Sequence, residues 1–167
     1  EDDFLSALAM CCVVRPFDRF SAPRVAQLTQ RSNQFNLRTV RYTAEDIGRI
    51  ARDDAFVTLS FSLEDRFGDY GLISAVILEK RFPALFIDTW IMSCRVLARG
   101  VECLVLNEIV RSAQQYNFRA IVGEYLPTAK NKIVKDLYRD LGFCAEGSFW
   151  RLNPSLYKLK QHFISIC

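Results

Sequence analysis

The sequence predicts a mixed α/β fold, one central sheet with helices on both faces. Three observations carry this. Helical patterns cover 21–35 and 43–53, apolar residues alternate with polar ones from 55 onward, and a helical period returns at about 100–117 and 131–143. The turn-forming stretch "RFGDYG" (66–71) separates two runs of strand character, which makes them a hairpin. Each later helical stretch lies between apolar runs, the pattern of strand–helix–strand crossovers.

Taken in order, "CCVVRPF" (11–17) reads as a strand ended by proline. "SAPRVAQLTQRSNQF" (21–35) opens with a serine cap and places Pro23 in the first turn, so it reads as a helix. "NLRTVRY" is a connector. "TAEDIGRIARD" (43–53) sets Thr43 as N-cap and Asp46 at the third helical position, a capping-box start to a second helix. Strands follow at 55–65 ("AFVTLSFSLED"), 72–81 ("LISAVILEKR") and 83–93 ("PALFIDTWIMS"). The helix at 100–117 aligns Val101, Leu104, Val105, Ile109 and Ala113 on one face and Glu108 and Arg111 on the other. "AIVGEYLP" (120–127) is a buried strand. "NKIVKDLYRDLGF" (131–143) is a helix with Ile133, Val134, Leu137 and Leu141 inward, stopped at Gly142. "SFWRL" and "LYKLKQHFISI" supply closing strands. The expected order is β-α-α-β-β-β-α-β-α-β, with one further strand at the end.

Composition sets the limits. The chain has 167 residues, 50% hydrophobic and 25% charged, which suits a single domain over 1–167 with its own core. No apolar run is long enough to span a bilayer, and the acidic N-terminus does not read as a signal peptide. The expectation is a soluble, cytoplasmic protein with no nucleic-acid or membrane partner. Six scattered cysteines without C-x-x-C spacing signal no zinc site, and they are expected to be reduced and mostly buried. No metal is expected. The single histidine, His162, argues against chemistry built on a histidine base. Residues 15–52 carry eight arginines against three acids, a local net of +5, which reads as a solvated basic face or a dock for an acidic partner.

The stretch "CRVLARGVE" (94–102) joins the third strand of the meander to the long helix. The first N–H groups of a helix point outward with the positive end of its dipole, which makes this turn an anion site, with Arg95 and Arg99 beside it. Gly100 lets the backbone come close to a ligand.

Here the order of elements resembles the GNAT acyltransferase fold. The pyrophosphate loop of that family, R/Q-x-x-G-x-G/A, stands as Arg95-Val96-Leu97-Ala98-Arg99-Gly100, with Ala98 in place of the middle glycine. The pattern N-x-x-A-x-x-x-Y-x-x-x-G-F stands as Asn131, Val134, Tyr138, Gly142 and Phe143, with only the alanine changed. More narrowly, "RVAQLTQRSNQFNLRTVRYT", "DRFGDYGLI", "IDTWIMSCRVLARGVE" and "YLPTAKNKIVKDLYRDLGF" resemble the C-terminal GNAT-like part of FkbH-like proteins, across nearly the whole chain. Those proteins join a HAD-type phosphatase domain to a GNAT-like domain and load a glyceryl unit onto an acyl carrier protein on the way to methoxymalonyl extender units. The D-x-D strand of the HAD half has no counterpart here, so residues 1–10 read as the remnant of a linker.

The resemblance implies a site. Residues 95–101, Val101 included, would hold the pyrophosphate of coenzyme A or the single phosphate of a carrier-borne phosphopantetheine. The pantetheine arm would lie where strands 83–93 and 120–127 splay apart. Tyr138 would be the acid toward the leaving thiolate, Asp88 or Glu124 the base, and Asn131 a helix cap beside the cofactor. Asn33, Gln34, Phe35 and Asn36 would line the acceptor cleft, with Asp69 and Tyr70 in the hairpin turn. Two rival readings stand beside this one, a free-standing acetyl-CoA-dependent N-acetyltransferase and a non-catalytic docking module for a carrier protein.

Overall fold

In the computed structural model, which describes residues 1–167, helix α1 (Asp2–Ala7) precedes strand β1 (Met10–Arg15). Helix α2 (Ala22–Arg31), the short strand β2 (Phe35–Asn36) and helix α3 (Ala44–Arg52) follow, and then the meander β3 (Phe56–Asp65), β4 (Gly68–Arg81) and β5 (Ala84–Met92). The second half runs α4 (Val101–Gln115), β6 (Ala120–Glu124), α5 (Leu137–Asp140), β7 (Cys144–Glu146), β8 (Phe149–Leu152) and β9 (Ile164–Ile166).

The sheet order is β7-β8-β6-β5-β4-β3-β1-β9, with β2 added to β5. Most neighbours are antiparallel; β5–β6 and β1–β9 are parallel, so the sheet is mixed. Alternation along β4 shows how the two faces fill. Ala75 and Ile77 pack under α2 and α3 with Val25, Ala26 and Ile47, whereas Val76 and Leu78 face the larger core with Leu104, Val105 and Ile109 of α4. Helices therefore cover both faces.

The capping box is present: Asp46 N–H donates to Thr43 Oγ1, and Asp46 Oδ2 accepts from Thr43 N–H. All five residues assigned to the inner face of α4 are buried. Other expectations need correction. The first helix ends at Arg31, not 35, because Phe35 and Asn36 leave it to pair with β5. The hairpin turn is tighter than 66–71: pairing resumes at Asp65–Gly68, and Asp69 and Tyr70 lie in β4. The stretch 131–143 is not one helix but a 3₁₀ turn (Lys132–Val134) followed by one α-turn; Ile133 is exposed and Tyr138 takes the inward position. Of 156–166 only the last three residues are strand. Within the N-terminal stretch, Asp2–Ala7 forms α1.

The cysteines also depart from expectation. Cys11 and Cys167, on β1 and beside β9, pair as a disulfide with Cα atoms 5.9 Å apart. Only Cys12 is buried, its thiol pushed up to about 12 by burial, while Cys94 and Cys144 are exposed. No helix is long and apolar enough to cross a membrane.

Candidate active site

The turn between β5 and α4 has the shape of an anion site. After the 3₁₀ turn Cys94–Val96, Ala98 adopts a left-handed conformation (φ 63°) and Gly100 a second one (φ 80°) as N-cap of α4. Glycine takes such angles freely; an alanine held there is strained by about 1–2 kcal/mol. Five consecutive N–H groups, from Ala98 to Glu102, donate to no acceptor in the chain. They sit at the positive end of a fifteen-residue helix. A concave run of free amides at a helix start is the geometry that holds a phosphate.

The two arginines of this loop hold its shape. Arg99 Nη1 donates to Asp65 Oδ2 at 2.8 Å, and its guanidinium lies 5.0 Å from the Tyr70 ring centre. Asp65 also accepts from Phe67 N–H and Tyr70 Oη. Burial alone would raise the Asp65 carboxyl, but these donors hold it below its usual value. Arg95 donates to Ser93 Oγ and to the Tyr70 carbonyl. Tyr70 thus braces the loop from β4, and the Asp69 carboxylate accepts from Gly71 N–H. Neither residue lines the cleft described below.

The gap between β5 and β6 opens after Phe86, where their parallel pairing stops at Val122. Asp88 is the extra residue of a bulge in β5, since Ile77 pairs with Thr89 and Leu78 with Ile87. On this edge the structure departs from the resemblance. The chain itself fills the gap. Strand β2 pairs with Ile91 and Met92, and Arg38 enters behind it. The Arg38 guanidinium donates to the Asp88 carbonyl at 2.9 Å, to Asp88 Oδ1 at 3.3 Å and to Glu124 Oε1 at 3.0 Å. Asp88 Oδ2 accepts from Tyr42 Oη at 2.6 Å and Thr89 Oγ1 at 2.8 Å. Burial first, and then this bond, raise the Tyr42 phenol well above its ordinary value. Neither Asp88 nor Glu124 is a free base in this arrangement.

Tyr138 faces the same gap from the other side. It is 2% exposed, its ring centre 4.8 Å from that of Phe143 and 6.2 Å from that of Trp90 in tilted packing, and a Cβ on Gly123 would lie within 2.7 Å of its hydroxyl. Gly123 is therefore the residue that makes room for the ring. The Tyr138 hydroxyl and the adjacent Trp90 Nε1 are buried without a partner. Burial raises the phenol far above its usual value, with Arg38 opposing and Glu124 adding to the shift.

Asn131 does not cap a helix with its side chain. Its amide donates to the carbonyls of Asn36 and Leu126 and accepts from Thr128 N–H and Tyr125 Oη, which leaves no polar atom for a ligand. It pins β2 in place. Asn36 is likewise internal, bonded to Ser32 O and Thr39 N–H. Thr39, a β-branched residue at φ 56°, is strained, and its hydroxyl is buried and unpartnered. Of the four residues assigned to the acceptor cleft, Asn33, Gln34 and Phe35 do line a cleft of about 800 Å³ between α2 and the end of β5. Of the eight arginines, seven are exposed and Arg38 alone is drawn inside. Arg38 and Tyr42 are the site residues that sequence reasoning missed; "NLRTVRY" carries no pattern that marks a connector as filling a sheet gap.

No protein-family model matches the chain, and no curated protein does. Solved structures do. The ribosomal-protein-S18-alanine N-acetyltransferase from Escherichia coli superposes with TM-score 0.65 at 11% identity, covering 90% of this chain and 99% of that one. A spermidine N-acetyltransferase chimera built from the Vibrio cholerae enzyme gives 0.65 at 15%, covering 86% and 96%. An acetyltransferase of the GNAT family from Streptococcus pneumoniae gives 0.62 at 18%, covering 81% and 86%. Likeness at these identities is likeness of fold, and the chain has the GNAT acyltransferase fold.

Proposed function

We propose that the chain is a GNAT-type acyltransferase whose acyl donor is a phosphopantetheine thioester, with coenzyme A as carrier. The observation that carries this is the run of five free amides from Ala98 to Glu102, shaped by an alanine kept in a strained conformation. Strain kept at a helix start with nothing in the chain to satisfy it supports a phosphate ligand there. Structural neighbours that are N-acetyltransferases by name support the free-standing enzyme.

The loop fits a phosphate; the gap does not fit a pantetheine arm while β2 is paired with β5. On this reading the segment 35–39 withdraws when the donor binds, a motion favoured by the strain at Thr39 and by the short pairing of β2. Withdrawal takes Arg38 off Glu124 and Asp88, so the carboxylates become proton acceptors only in the open state. Tyr138, kept protonated by burial, is the proton donor on the facing wall.

The narrower form of the reading places the phosphopantetheine on an acyl carrier protein and makes the acyl group a glyceryl unit. The sequence resemblance and the exposed arginines of residues 15–52 support it. The closed gap favours the remaining alternative, a carrier-docking module without catalysis. One set of assays separates them: titration with coenzyme A, and transfer from acetyl-CoA to amine acceptors by the isolated chain. Turnover supports the enzyme. Tight carrier-protein binding with no coenzyme A affinity supports docking.

A further inference from the structure

We infer that the cleft between α2 and the end of β5 takes a small, multiply anionic substrate, a phosphate monoester or a polycarboxylate on a short apolar stem. What happens to that substrate rests on the acyltransferase reading; its charge does not. Four cations line the cleft: Arg24 and Arg31, two turns apart on α2, Arg95 after β5, and Lys130 on the loop after β6. No carboxylate lines it. None of the four cations has an acidic partner within ion-pair distance. Arg24 bonds only to Gln27, and Arg95 to neutral oxygens of Ser93 and Tyr70.

Position rather than the lack of a partner decides between a solvated face and a site. Arg15, Arg19, Arg41, Arg52, Arg66 and Arg119 are also exposed without a carboxylate partner, but none of them lines this cleft. In the cleft the chain gathers four like charges around one concavity and leaves them unneutralised, which focuses a positive potential inward. Such a cleft repels a polyamine and draws an anion. Its floor is apolar, formed by Leu28, Phe35, Leu72 and Met92, so the bound anion carries a hydrocarbon part. Asn33 and Gln34 on the rim add amide donors. A concavity of about 800 Å³ matches a small molecule rather than a protein surface.

The test uses phenyl phosphate and isophthalate as the two anion probes and spermidine as the opposite charge. Titration of the full chain should show binding of at least one anion and none of spermidine. Arg31→Ala with Lys130→Ala should weaken that binding about tenfold or more, and should leave the fold intact because both residues are exposed and neither side chain bonds to the rest of the chain. In the wild type, the bound anion should slow alkylation of Cys94, which lines the cleft, and leave Cys144 on β7 unaffected. Binding of neither anion, binding indifferent to the double substitution, or binding without protection of Cys94 overturns the inference. Coenzyme A titrated in parallel keeps the two readings apart. If it fails to bind while phenyl phosphate binds, the acyltransferase reading falls and the anion cleft stands; the converse leaves the acyltransferase and removes the cleft.

Discussion

Arg38 Nε donates to Glu124 Oε1 at 3.0 Å, and this ion pair ties the loop after α2 to β6 across the gap that separates β6 from β5. The same guanidinium satisfies the Asp88 carbonyl on the facing strand edge. One side chain therefore occupies the position where a ligand backbone would hydrogen-bond to β5. Whether the gap opens depends on how strongly Arg38 is held.

Arg38→Ala should loosen the plug at the expense of stability. It leaves Asp88 and Glu124, each less than a fifth exposed, without their cation. Removing one partner of a well-buried pair costs about 3–5 kcal/mol, and partial exposure reduces this to about 2 kcal/mol. For a domain of this size that lowers Tm by roughly 4–8 °C. Coenzyme A affinity should rise despite the lost stability. Thermal denaturation and calorimetry on the same variant check both signs; a lower affinity assigns Arg38 to the ligand instead of to the plug.

Ala98→Gly should leave ligand binding intact and stabilise the fold slightly. Relief of left-handed strain is worth about 1 kcal/mol, and the added freedom of the unfolded chain takes back about half of it. A urea midpoint that falls in this variant would mean that the alanine methyl makes a contact the geometry does not reveal.

Tyr138→Phe separates acid from packing. The hydroxyl is buried without a partner, so its removal should be neutral or stabilising by about 1 kcal/mol. If Tyr138 is the proton donor, turnover falls by roughly 100-fold with donor affinity unchanged. Unaltered turnover returns it to the aromatic cluster of Trp90 and Phe143.

The pH dependence of stability should carry the mark of Asp65. Its folded-state pKa is lowered: burial opposes ionisation, but Phe67 N–H, Arg99 and Tyr70 favour it more. A depressed carboxyl contributes stability that is complete above its unfolded value, near 3.9, and that disappears as pH falls below it. Asp65→Asn should lose stability at neutral pH and flatten the dependence below about pH 4. Urea midpoints across pH 3 to 7 measure this. An unchanged slope would remove Asp65 as the anchor of the loop.

Much of the fold was legible because its signals are local. Thr43 with Asp46 announces a capping box within four residues, and the apolar stripe from Val101 to Ala113 needs only helical periodicity. The β5–α4 turn was legible for the same reason, since a helix start and a glycine are enough to place free amides there. The closed gap was not. Phe35 and Asn36 sit next to a helical pattern and pair with residues 91 and 92, a long-range contact that no spacing encodes. Arg38 reads as one more surface arginine until β6 places Glu124 opposite it. The Cys11–Cys167 pair, 156 residues apart in sequence, was hidden likewise.

The most direct measurement is the affinity of coenzyme A for the wild-type chain and for Gly100→Asp, by isothermal titration. The substitution places a carboxylate before the free amides at a residue already left-handed, at a folding cost of about 1–2 kcal/mol. The predicted result is binding by the wild type and none detectable by the folded variant. Equal affinity in both, or no binding by either, would contradict the assignment of a phosphate to this loop.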